Sequence, residues 1–272
     1  MPFQHYGAQL WSSDPRWYQI IILSTLLLYG ISALDFDIQF QQILVLIGTA
    51  LLTQYVATRF FNLPDFDARS PLISALSLCL LLRSNGLIFM GLAAVITVLS
   101  KFVLRWRHKH IFNPTNFGLV TMMLLTDAVW VSPGQWGTTP FFAFLIACLG
   151  GLVINRAARS DITYAFLMCY TTIVLSRALW LGDPLAIPLH QLESGALLLF
   201  TFFMISDPKT TPDTRLGRLI FACLVALVAA IIRFEFYQPL GILWSLALCS
   251  PLIPLIDYYL PGSRYQWTIR TV

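Results

Sequence analysis

The chain has 272 residues, of which 57% are hydrophobic and only 11% charged, with a formal net charge of +4. A water-soluble chain of this length carries about a quarter charged residues, so the composition excludes a soluble globular domain and points to a multi-pass membrane protein. The positive balance does not indicate nucleic-acid binding, because the Lys and Arg residues sit in short connections between apolar runs, where inner loops of membrane proteins carry them.

In chain order the apolar runs occupy about 17–34, 40–60, 71–83, 87–106, 112–131, 138–156, 161–181, 191–205, 216–234 and 239–260. The residues before the first run lack a basic start and a small-residue cleavage site, so no cleaved signal is expected. With the N-terminus inside, Arg16, Arg59, Arg69, Lys101, Arg105, Arg107, Lys109, Arg156, Arg159, Lys209, Arg215, Arg218, Arg264 and Arg270 fall on the inner side. Only Arg83, Arg177 and Arg233 fall outside. Both termini are therefore expected in the cytoplasm of a bacterial inner or internal membrane.

The third run, Pro71 to Arg83, and the eighth, Gln191 to Ile205, are short. At about 1.5 Å per residue each covers about 20 Å of a core near 30 Å thick. Each is the third of five when the chain is divided into 1–132 and 133–272. Arg107 with FNPTNFG and Arg233 with FYQPLG recur at matching places in the two parts. Five is odd, so the halves run in opposite directions, and an inverted repeat of this kind places a binding site beside its short or Pro-interrupted helices. The competing reading is that short helices and Pro–Gly pairs are common in membrane proteins.

Ser70, Ser74 and Ser77 share one face of the third segment, either to bond a ligand or to let helices approach closely. Glu193 and Ser194 open the eighth, where a carboxylate is a helix cap or, at membrane depth, a functional group. Asn113 and Asn116 flank Pro114, which interrupts the backbone ladder. Either their carboxamides face the polar edge of a heterocycle, or Asn113 caps a helix with Pro114 in its first turn. The five cysteines lie in apolar runs without metal spacing, so no metal site is expected. No nucleophile–base pair, P-loop or Rossmann glycine pattern is present, so the chain has no NAD site of its own.

The run FMISDPKTTPDTRLGR, then IIR, then a Gly-containing helix and PLIPLID, resembles the NqrB/RnfD family, whose members are membrane subunits of the sodium-pumping NADH:quinone reductase and of the Rnf complex. The resemblance is carried by Phe203, Met204, Asp207, Pro208, Thr210, Pro212, Gly217, Arg218, Ile232, Arg233, Gly241, Pro251 and Asp257, with Pro254 and Leu255 interrupting the last motif. Phe112, Asn113 and Pro114 match a second motif. HIFNPTNFGLV with WVSPGQWG is similar to stand-alone members labelled as enediyne-biosynthesis proteins of the UnbU type. The resemblance implies an all-α fold of ten transmembrane helices in two inverted five-helix repeats, like ammonium and urea channels. It also implies a membrane electron-transport role with a flavin, riboflavin or FMN, and redox partner proteins in the membrane or periplasm. In the family, FMN is attached to a Thr in an S-G-A-T-type motif. Thr139 in GQWGTTPFF occupies that place, but Trp136 and Thr138 depart from the motif, so a non-covalent flavin is expected. Asp207, Pro208, Gly217 and Arg218 are expected to shape the site as a rigid cap on the short eighth helix. The alternative reading is a transporter or channel for a small polar solute, with an assembly scaffold as a third possibility.

Overall fold

The computed structural model describes residues 14–132 and 140–267, and a helix underlies each of the ten apolar segments. Thr139 lies outside the described residues, as do Trp136 and Thr138. Helix α1 (Pro15–Ala33) opens at Asp14, whose side chain accepts from the Arg16 amide at 3.0 Å. Proline at the first position costs α1 nothing, since that N–H has no intrahelical partner. Helix α2 (Phe40–Phe60) begins where the Gln42 side chain accepts from the Gln39 amide. The short α3 (Arg69–Leu81) runs directly into strand β1 (Leu82–Ser84). Helix α4 (Leu87–Val103) follows, then a hairpin of β2 (Arg105–Trp106) and β3 (Lys109–His110). Arg107 and His108 form its turn with φ of 48° and 67°, the left-handed pair that matches hairpin twist.

Helix α5 (Pro114–Leu125) is shorter than its apolar run. Thr126 turns the chain by accepting from the Ala128 amide, and Val129–Val131 forms β4, paired antiparallel with β1 through Leu82↔Val131 and Ser84↔Val129. The β-branched pair Val129 and Val131 suits that pairing. Apolarity alone does not separate these three residues from the helix before them.

In the second half, α6 (Pro140–Arg156) and α7 (Ser160–Leu181) precede a broken element. Helices α8 (Ala186–Leu192) and α9 (Gly195–Leu199) meet at a 44° bend, and α9 continues into a π turn, Phe200–Met204. Helix α10 (Arg215–Glu235) follows. Helix α11 (Gly241–Cys249) then passes through a 3₁₀ turn, Ser250–Leu252, into α12 (Ile253–Tyr259). Pro251 and Pro254 account for that interruption, each lacking the N–H that continues an α-helix.

Among the described residues, four stretches are long and apolar enough to cross a membrane: Phe40–Phe60, Ser160–Leu181, Arg215–Glu235 and Gly241–Tyr259; the bent Ala186–Leu192 and Gly195–Met204 pair makes a fifth. The protein is thus a polytopic, mainly helical membrane protein.

Helix pairs α2–α4, α4–α5 and α1–α3 pack the first half, α7–α10 and α10–α11 the second, and α5–α11 and α1–α6 join them. Gly118 lets α5 lie against α4, since a Cβ there would stand 1.8 Å from Thr97 Oγ1. Gly241 does the same for α11 on α10, where a Cβ would lie 2.7 Å from the Ala229 carbonyl oxygen. Between α7 and α10 the thiols of Cys169 and Cys223 face each other at 3.0 Å.

Candidate functional site

A cavity of about 290 Å³ lies where the two halves meet, at the small end of the range for small-molecule sites. Ser70, Ser74 and Ser77 line it from α3, Asn113, Pro114 and Thr115 from the start of α5, and Phe203, Met204 and Asp207 from the π turn and the loop after it. The short α3, the Pro-started α5 and the end of the broken element thus converge on one space.

Asn113 performs both of the roles open to it. Its Oδ1 accepts from the Asn116 amide at 3.0 Å and so caps α5; its Nδ2 donates to the Met204 carbonyl at 3.3 Å and to Asp207 Oδ2 at 3.4 Å. Asn116 does not line the cavity. Its Nδ2 donates to the Leu243 carbonyl at 3.1 Å, tying α5 to α11. Ser74 donates to the Ser70 carbonyl, the usual way a helical serine satisfies its proton. Glu193 and Ser194 stand at the bend between α8 and α9 and do not line this space.

Asp207 locks its own loop, accepting from the Lys209 amide at 3.0 Å while its carbonyl accepts from the Thr210 amide at 3.1 Å. Burial drives its carboxyl above the ordinary carboxylate range, with the Lys209 amide opposing that drift. Pro208 is buried behind it. Gly217 donates to the Thr214 hydroxyl that caps α10, and Arg218 clamps Asp161 through Nε and Nη2 while Nη1 reaches the Asp213 carbonyl. These residues fix the loop from behind; Asp207 alone among them also faces the cavity.

The side chains that dominate the site's charge are ones that sequence patterns did not single out as ligands. Lys101, 5% exposed, rises from α4 and donates to Gln54 Oε1 at 2.9 Å and Ser70 Oγ at 3.1 Å. Both partners are neutral, and an ammonium has three donors, so one N–H remains for an occupant of the cavity. His110, from β3, also lines the space, and its buried Nδ1 has no partner among the described residues. Burial, then the neighbouring charges of Arg105, Lys101 and Lys209, push its pKa down to about 3, so the imidazole is neutral at pH 7. The signal for Lys101 was available: a lone cation inside the apolar run VITVLSKFVL is costly unless it has a task.

The mouth is framed by two copies of one local pattern, Asp-x-Arg. Asp14 accepts from the Arg16 amide at the start of α1, and Asp67 from the Arg69 amide at the start of α3. The pairs then exchange partners, Arg16 Nη1 reaching Asp67 and Arg69 Nη1 reaching Asp14 at 2.7 Å. Burial alone would raise both carboxyls, but hydrogen bonds and charge from the two arginines outweigh it and hold both below the usual range. The C-terminal residues close over this network, with Trp267 beneath Arg16 and the Tyr265 carbonyl accepting from Lys209 Nζ. A second junction, Lys109 with Asp213 and Asp257, ties the hairpin to α12 and gives the Asp of PLIPLID a structural role.

The neutral His110 makes the folded protein acid-sensitive. Its unfolded pKa is near 6.5 and its folded value about 3, so its contribution is complete above pH 6.5 and is lost as pH falls toward 3. Between pH 7 and pH 5 stability should drop by about 2 kcal/mol, seen as a falling unfolding midpoint in detergent, and His110→Gln should flatten that slope.

Residues 110–266, more than half of the chain, match the sequence profile of the NQR2, RnfD, RnfE family. The chain belongs to that family. Among curated relatives, the RnfD component of the ion-translocating oxidoreductase complex of Citrobacter koseri is 40% identical over 140 residues, 50% of this chain and 37% of the relative. Its counterpart in Escherichia coli O139:H28 is 37% identical over 133 residues, 49% of this chain and 34% of its own. That of Shigella boydii is 37% identical over 141 residues, 50% of this chain and 36% of its own. The chain spans little more than a third of the length of these relatives. The family match contains His110, Asn113, Asp207 and Lys209 but begins after Lys101 and the serines of α3.

Proposed function

We propose that this protein is an electron-transport subunit of an ion-translocating oxidoreductase complex and holds a flavin, riboflavin or FMN, non-covalently in the cavity between its halves. Family membership supports the role. The observation that carries the site is the pair of unused polar atoms facing one space, the third N–H of Lys101 and the Nδ1 of neutral His110. The pyrimidine edge of a flavin presents carbonyl oxygens and one N–H, which need a donor and an acceptor of this kind. A bound flavin supplies reversible one- and two-electron chemistry. The chain's own part is to orient the ring with Asn113 and the α3 serines, to place the Lys101 charge beside it, and to exclude water with the aromatic residues Phe102, Phe203 and Trp267.

The same reading takes the ten helices as spans in two inverted repeats, 1–132 and 133–272, within a bacterial inner or internal membrane, with both termini cytoplasmic. Its support is the matched placement of Gly118 on α4–α5 and Gly241 on α10–α11, and of the short α3 and the broken α8–α9. Electrons arrive from and leave to other subunits in the membrane or periplasm. Thr139 serves as a covalent attachment point only if a transferase accepts a Trp136-containing motif.

Titration of flavin-depleted protein with riboflavin, read by quenching of flavin fluorescence, tests the location. Ser77→Leu fills the cavity from α3 and should weaken binding at least tenfold. Unchanged affinity in that variant places the flavin elsewhere.

A further inference from the structure

Arg83 stands in β1, away from the cavity just described, with 4% of its surface exposed. Its Nη1 donates to the carbonyls of Cys79 at 3.0 Å and Leu82 at 2.6 Å, and its guanidinium lies 5.7 Å from the ring centre of Phe36. Its Nε and Nη2 are buried with no hydrogen-bond partner among the described residues. These two nitrogens share one edge of the guanidinium, the edge that grips two oxygens of a carboxylate or phosphate side-on.

Other arginines of this protein show that edge in use. Arg16 presents Nε and Nη2 to Asp14 at 2.7–3.1 Å, Arg69 to Asp67 at 2.8 and 3.1 Å, and Arg218 to Asp161 at 2.6–3.0 Å. Arg83 is the most buried of the four and has the same fork empty. A guanidinium buried without a counter-charge is a heavy burden on a fold, and a residue needed only for packing is better served by an apolar side chain.

The chain's own nearby carboxylate is turned away. Asp37 acts on Arg83 through its charge, but the extended connection between α1 and α2 buries Phe36 and Ile38 and leaves Asp37 exposed between them. With a side-chain period of two, seating Phe36 against Arg83 aims Asp37 at the surroundings.

We infer that the Nε–Nη2 edge of Arg83 is an oxyanion-binding site that takes a carboxylate or phosphate supplied from outside the chain. The inference does not depend on the flavin reading, since no residue of the flavin cavity takes part. Its occupant is a bidentate oxyanion, because the open fork is planar and two-pronged; a monatomic anion satisfies only one prong well.

The test uses the whole protein purified in chloride and then transferred, at matched ionic strength, into inorganic phosphate or acetate. Phosphate stands for a phosphate ester and acetate for a protein or ligand carboxylate. One of them should raise the unfolding midpoint saturably over chloride, and the one that does identifies the source. Arg83→Met should abolish that response and be no less stable than the native protein in chloride. Should Arg83→Met fail to fold, Arg83→Lys keeps the charge without the fork and should raise the half-saturating concentration at least tenfold. Asp37→Asn should leave the response intact. A wild-type midpoint equal in all three anions overturns the inference, as does a shift that survives in both Arg83 variants. Loss of the response in Asp37→Asn, with destabilisation in chloride, overturns it too, by making Asp37 the partner.

Discussion

Replacing Lys101 by Met is expected to lower the protein's preference for reduced over oxidised flavin by ten- to a hundredfold, about 1.4–2.7 kcal/mol, while leaving the fold intact. Reduction adds electron density to the ring, and a buried cation beside it favours the electron-richer form in a medium that screens poorly. Lys101 has only neutral hydrogen-bond partners, Gln54 and Ser70. Removing its charge therefore strands no buried carboxylate, and the fold should hold. Redox titration of reconstituted protein reads the effect as a downward shift in midpoint potential, and Lys101→Arg should restore most of it. An unchanged potential in Lys101→Met would show that the ammonium does not face the cofactor.

The opposite outcome is expected for Arg16→Met, which should cost about 3–5 kcal/mol of stability. Here one cation serves two carboxylates. Its removal leaves Asp14, with a side chain only 5% exposed, and Asp67 relying on Arg69 alone. Unfolding in graded denaturing detergent measures the loss. Changing the partner as well, as in Asp14→Asn with Arg16→Met, should recover a substantial part of it, because the double variant no longer buries an uncompensated charge. A double variant as unstable as the single one would show that Arg16 acts through packing, for instance beneath Trp267.

Much of the architecture was readable because it follows from local rules. A Pro after Asn or Asp marks a helix start, so α1 and α5 begin where Asp14-Pro15 and Asn113-Pro114 place them. The brevity of α3 and the interruption near Ser194 followed from counting apolar residues against a bilayer's thickness. Val129-Trp130-Val131 was not separable from α5, because its pairing with Leu82–Ser84 joins residues far apart in sequence. Site residues divide in the same way. Ser70, Ser74 and Asn113 were visible as polar residues at helical spacing beside a break, and they do meet. Lys101 and His110 were absorbed into the basic membrane-edge runs, since nothing in a one-dimensional charge pattern tells a snorkelling lysine from one turned inward onto Gln54. The role of Asn116 as a bridge to the Leu243 carbonyl required the register of α5 against α11.

The central claim is that the cavity holds a redox-active flavin. The most direct measurement is the optical spectrum of the protein purified gently from its native membrane. The account predicts a yellow protein whose flavin absorption bleaches with dithionite, returns on reoxidation and is lost in Ser77→Leu. A colourless preparation that does not take up added riboflavin or FMN, while transporting a small solute in proteoliposomes, would contradict it.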